Sequence, residues 1–144
     1  MFTKKFAITI ITFAILGLIL TATTTSVLGS PKGNSGVAGR NLYIFTDSKG
    51  TTSCTNISWG NVSANSSIAR TIYVKNPNTY KLTLTITVSN WTPEEASSIL
   101  SVTSDKNNYA LPPGKIVPVV LTLTVGNTVA LTDFDCIIAF SGTQ

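Results

Sequence analysis

From Tyr80 to Ser89, apolar Leu82, Leu84, Ile86 and Val88 alternate with Thr83, Thr85, Thr87 and Ser89. A period of two puts one face of a strand in a core and the other in water. The same period returns over Ile116–Val125, where Val119, Leu121, Leu123 and Val125 oppose Pro118, Val120, Thr122 and Thr124. In the final stretch Phe134, Cys136, Ile138 and Phe140 share one face, and Asp135, Ile137, Ala139 and Ser141 the other. Ile68, Arg70, Ile72 and Val74 repeat the pattern more loosely and predict a strand over 68–76, and the apolar run Leu42–Thr46 predicts a first strand.

Turn residues stand where these runs stop: Asp47-Ser48-Lys49-Gly50, Asn76-Pro77-Asn78, Lys106-Asn107-Asn108, Pro112-Pro113-Gly114 and Gly126-Asn127. No segment between them has the length and period of a helical crossover, so the strands are expected to pair antiparallel in a two-sheet sandwich. The single helical signal is Thr92-Pro93-Glu94-Glu95, which reads as an N-cap, a Pro at the first helical position and a capping-box Glu. It predicts one turn to about Ser98, linking the two sheets, and it accounts for both carboxylates at a helix start.

Composition agrees with this pattern and limits the domain count. The chain has 144 residues, 43% of them apolar and only 11% charged, so hydroxyl residues fill most polar positions and Thr suits half-exposed strands. Residues 1–29 read as an export signal or membrane-anchor helix, with Lys4 and Lys5 ahead of the apolar run Phe6–Leu20. Val27-Leu28-Gly29 predicts cleavage before Ser30, and Ala22-Thr23-Thr24 is a second boundary. Retention as an anchor is the other reading, because the apolar stretch to Ala22 is near the short limit for crossing about 30 Å of hydrocarbon. Residues 30–39 are expected to be a flexible Gly-rich arm, and residues 40–144 the single β-sandwich domain. The formal charge of +4 falls to +2 without Lys4 and Lys5. The remaining basic residues are scattered, so nucleic acid is not an expected partner.

Catalytic chemistry finds little to use. The chain has no His, which removes His-dependent nucleophiles, bases and metal ligands; no phosphate loop or cofactor motif is present, so no cofactor and no catalytic residue are expected. Asp133 and Asp135, two apart at the start of a strand, point the same way and form a weak Ca²⁺ candidate, well short of the six to eight oxygens that ion takes. Edge solubility is the plainer role for them. Cys54 and Cys136 are the only cysteines; in an exported chain they are expected to form one disulfide, with free thiols or an incomplete metal site as alternatives. A bridge would close about 82 residues and remove about 4.5 kcal/mol of unfolded-state freedom. Asn56, Asn61, Asn65 and Asn90 head glycosylation sequons, a number close to what this Asn-, Ser- and Thr-rich composition yields by accident. Trp59, Trp91, Tyr43, Tyr73, Tyr80 and Tyr109 would stack on sugars if exposed in a row, although the two Trp stand at strand ends where sandwich cores are plugged.

From Asp47 onward the chain resembles a group of small exported archaeal proteins with an immunoglobulin-like domain. The likeness lies in Cys54-Thr55 with Ile57–Gly60, Ile72–Asn76, Leu82–Leu84 with Ser89–Pro93, Leu111–Gly114, Val120–Val125 and a Phe-rich last strand. It implies an immunoglobulin-like antiparallel sandwich. More distantly, the order of signal, short arm and sandwich is similar to surface-fibre subunits of archaea and bacteria that join by strand donation, which implies a filament or pilus role. The expected function is therefore a non-catalytic structural or adhesive protein, extracellular or on the cell surface, whose partners are further copies of itself or other envelope proteins. A glycan- or ligand-binding module is the alternative. Contact with a membrane is expected only through the N-terminal segment, if uncut.

Overall fold

The computed structural model describes residues 32–127 and 131–144; the signal or anchor segment lies outside them. Among the described residues nine strands follow in order: β1 (Lys32–Arg40), β2 (Tyr43–Phe45), β3 (Asn56–Asn61), β4 (Ser67–Lys75), β5 (Leu82–Thr92), β6 (Leu100–Ser104), β7 (Tyr109–Leu111), β8 (Ile116–Val125) and β9 (Asp133–Thr143). They form a five-stranded sheet, β3-β1-β9-β5-β7, and a four-stranded sheet, β2-β4-β8-β6. The protein is all-β with two sheets, as its alternation predicts.

The inward rows supply the core. Val119, Leu121, Leu123 and Val125 of β8 are buried, and so are Phe134, Cys136, Ile138 and Phe140 of β9. Each large side chain sequestered there contributes about 1.5–3 kcal/mol. On β5 the row is buried only at Leu82 and Leu84; Ile86 and Val88 are half-exposed. The cause is β7, which covers the edge of β5 only from Leu82 to Leu84.

Two expectations need correction at the N-terminal side. The segment 30–39 is, from Lys32 onward, a regular strand instead of a flexible arm, so the folded domain begins before residue 40. Moreover, β1 runs parallel to β9 from Lys32 beside Asp133 to Arg40 beside Ser141, so the sandwich is not wholly antiparallel. No short crossover is required for this parallel pair, because nearly the whole domain separates its strands. On its other side β1 pairs antiparallel with β3. Gly-rich composition suggested a segment with nothing to pack, yet here the neighbour supplies the bulk. A Cβ on Gly33 would collide with the Phe134 ring, so the ring requires glycine at that position.

The helical signal produces a 3-10 turn, Glu94–Ser98, and its start is shifted. Thr92 closes β5, Pro93 is the N-cap, and no side chain caps the turn. Glu94 and Glu95 are exposed on its first turn, while Ala96 is buried and seals the end of the core.

Candidate functional site: the seat of the N-terminal strand

Along β1 the inward positions Gly33, Ser35, Val37 and Gly39 lie beside Phe134, Cys136, Ile138 and Phe140 of β9. Small residues therefore face large ones, and Val37 is the only sizeable apolar side chain that β1 offers the core. Ser35 is completely buried. Its Oγ accepts a hydrogen bond from Trp59 Nε1 at 2.7 Å and shares a second with Cys136 Sγ at 3.0 Å. Trp59, on β3, is itself buried, so this hydroxyl satisfies an indole N–H that has left water. One serine thus joins three adjacent strands through side chains. At the start of the strand, Lys32 N–H donates to Asp133 Oδ1 at 3.3 Å.

Burial pushes the Cys136 thiol above the usual cysteine range; the Ser35 hydrogen bond opposes this and the charge of Asp135 adds to it. Burial likewise raises Cys54. A neutral, enclosed thiol is a poor nucleophile, and the chain has no His to activate it.

The expected Cys54–Cys136 disulfide is not formed; both thiols are free and buried. Cys136 stands beside Ser35 on one flank of β1, whereas Thr55 accepts the Val37 N–H on the other flank, placing Cys54 beyond it. Two strand spacings of ~4.8 Å separate the flanks, more than the ~7 Å between Cα atoms that a bridge tolerates. Cys54 Sγ instead points to Asn56 O at 3.7 Å.

The other sequence candidates are dispersed. Asp133 and Asp135 are exposed on β9, and among the described residues no group of three or more His, Cys, Asp or Glu could hold a metal ion. Asn56 and Asn61 stand at the two ends of β3, Asn65 in the following turn and Asn90 near the end of β5, all exposed. Trp91 packs on Phe134 with ring centroids 6.3 Å apart. Tyr43, Tyr80 and Tyr109 are exposed, but on β2, the β4–β5 connection and β7 respectively; Tyr73 is half-buried on β4. These rings do not line one sheet face.

Two side-chain contacts escaped the sequence reading. Ser35 looked like one more polar residue in a Gly-rich stretch. Arg70, placed in an apolar row, instead reaches over the end of the sandwich: its Nε donates to Ser58 O at 3.0 Å and its Nη2 to Trp59 O at 3.2 Å. No alternation signal distinguishes either role, because both depend on which strand the fold brings alongside. No family model matches the chain, and no curated protein matches it.

Proposed function

We propose that this chain is an exported, non-catalytic structural protein of the cell surface that assembles with copies of itself, and that β1 is the strand copies exchange. The observation that carries this reading is the position of β1: terminal among the described strands, paired on both flanks, yet supplying almost no apolar bulk. Its seat can be filled equally well by the same residues of another copy, since every contact is preserved in the swapped form. The two-sheet layout, with a short turn carrying the chain from β5 in one sheet to β6 in the other, supports an immunoglobulin-like sandwich. The scatter of exposed tyrosines favours assembly over a sugar-stacking platform.

Export with cleavage before Ser30 completes the proposal, and N-terminal sequencing of surface material that returns residues 1–10 would replace it with an anchored form. The assembly reading is tested on mature protein by deleting Lys32–Arg40 and adding the synthetic nonapeptide of that sequence. Restored cooperative melting on peptide addition, together with oligomers of the intact protein by sedimentation, is expected. Strictly monomeric intact protein at high concentration, with no filaments on producing cells by electron microscopy, overturns it.

A further inference from the structure

The remaining strand edges are not equally open. On β2, Cys54 N–H donates to Ile44 O and Thr46 N–H to Thr52 O, both at 2.9 Å, so the following loop already occupies that edge. On β3, Arg70 takes two main-chain carbonyls. The side of the sandwich where β5 faces β6 differs. Leu84 O accepts Asn108 N–H at 2.8 Å and Ile86 N–H donates to Asn107 Oδ1 at 3.0 Å, which shows that even-numbered residues of β5 aim their main chain away from β9. By the same alternation Val88 directs its N–H and C=O outward, past the end of β7. Beneath this edge lies a cavity of about 280 Å³ lined by Ile86, Val88, Val102, Thr103, Ser104 and Asn107. Three half-exposed aliphatic side chains form its apolar part, and no lining residue is charged.

We infer that this edge is a docking surface for a second copy of the chain, which pairs its own β5 antiparallel across a two-fold axis at Val88. An antiparallel pair exchanges two hydrogen bonds between facing residues, so an outward-facing Val88 is self-complementary: each copy donates its N–H to the carbonyl of the other. The uncharged lining, with neighbouring Asp105 and Lys106 paired to each other at 2.9 Å, limits the like-charge repulsion that normally opposes a surface meeting itself. Ile86, Val88 and Val102 of the two copies then close each other's apolar groove, continuing both core and sheet. The backbone at Asn90, with φ 53°, turns β5 out of regular extension and confines the pairing to a few residues. This interface does not require β1 exchange, and it buries a surface that β1 never touches.

The full mature chain tests the inference by sedimentation over a concentration series, with Val88→Lys and Val88→Pro as variants. Val88 is half-exposed and packs partly against the core, so both variants should melt lower than the native protein and are compared at a temperature where each is folded, and there the dimer dissociation constant is expected to rise at least tenfold. Val88→Cys supplies a second measurement: facing Cα atoms about 5.5 Å apart are within bridging range, so mild oxidation should join copies far faster than for Lys49→Cys in an exposed loop. Unchanged association in both edge variants, or no faster cross-linking at position 88, overturns the inference. Association lost only on deletion of Lys32–Arg40 would do so while leaving β1 exchange standing; association lost only in the edge variants would do the reverse.

Discussion

Replacing Ser35 with Ala removes one oxygen and leaves a completely buried position otherwise filled. In the native protein that oxygen accepts the Trp59 indole N–H at 2.7 Å and contacts Cys136 Sγ at 3.0 Å. After the change, the indole N–H, on a side chain only 1% exposed, has neither protein nor bulk water to bond. An orphaned buried donor costs about 1–3 kcal/mol, whereas the lost sulfur contact is weak and adds little. At about 4 °C per kcal/mol for a domain of this size, a loss near 2 kcal/mol lowers the thermal midpoint by about 8 °C. Calorimetry of Ser35→Ala, Trp59→Phe and the double variant separates the hydrogen bond from the packing lost with the indole. In the Trp59→Phe background no donor remains, so Ser35→Ala should cost less than about 0.5 kcal/mol there, giving a coupling of at least about 1 kcal/mol. Equal costs in both backgrounds would refute the assignment of Ser35 as the partner that Trp59 requires.

Asn76 is buried and donates to Tyr80 O and Leu111 O while accepting from Asn78 N–H; Asn76→Ala should destabilise by about 2–3 kcal/mol, read by urea denaturation. Ellman's reagent should find two thiols per chain after unfolding and react only slowly with native protein, and oxidised and reduced samples should melt alike. Both folded thiols are raised by burial, so the folded state holds these protons more tightly than the unfolded one. Their contribution to stability is full below the unfolded cysteine pKa of about 8.5 and is lost as pH rises through the folded values. Melting temperature should therefore fall on the alkaline side, and less steeply in Cys136→Ser, which keeps a partner for Ser35.

The alternating runs at β5, β8 and β9 could be read directly, because burial of one face imposes a period of two whatever the partner strand. β8 matches Ile116–Val125 residue for residue. β1 could not be read in this way. Its inward face is Gly33, Ser35, Val37 and Gly39 because Phe134 occupies the space a side chain at Gly33 would need, and Leu42 O and Ile44 the space at Gly39, so the apolar signal sits on its neighbours and only its complement on β1. The short β6 and β7 lack the length to establish a period. The disulfide expectation failed for a related reason: an even cysteine count carries no register, and register placed the two on opposite flanks of β1. Thr92-Pro93-Glu94-Glu95 located a turn correctly, but the strand kept Thr92, so its hydroxyl could not cap the turn.

The same seat determines how β1 can leave. Departure exposes little of β1 itself beyond Val37, but it uncovers Phe134, Ile138 and Trp59 on the groove side, together with two rows of main-chain donors and acceptors. An empty groove is therefore the costly species, and the proposed exchange between copies would pass through it or through brief joint occupancy. β1 also pairs with a strand about 101 residues away, and such long-range pairing forms late because chain closure precedes any gain in contacts. Under the proposed exchange, late docking would make intramolecular and intermolecular strands competitors for one completed groove. In the proposed exchange, swapped and unswapped copies would contain the same Ser35–Trp59 bond, so its removal would favour neither. It lowers only the cost of opening. Ser35→Ala should then shorten the time in which isotope-labelled and unlabelled copies reach their final mixture, by roughly tenfold for each 1.4 kcal/mol removed from the seat and fully lost on opening, while leaving the final proportion of mixed species unchanged. Native mass spectrometry reads both quantities, and a changed proportion at an unchanged rate would show that Ser35 acts on the assembly and not on the seat of β1.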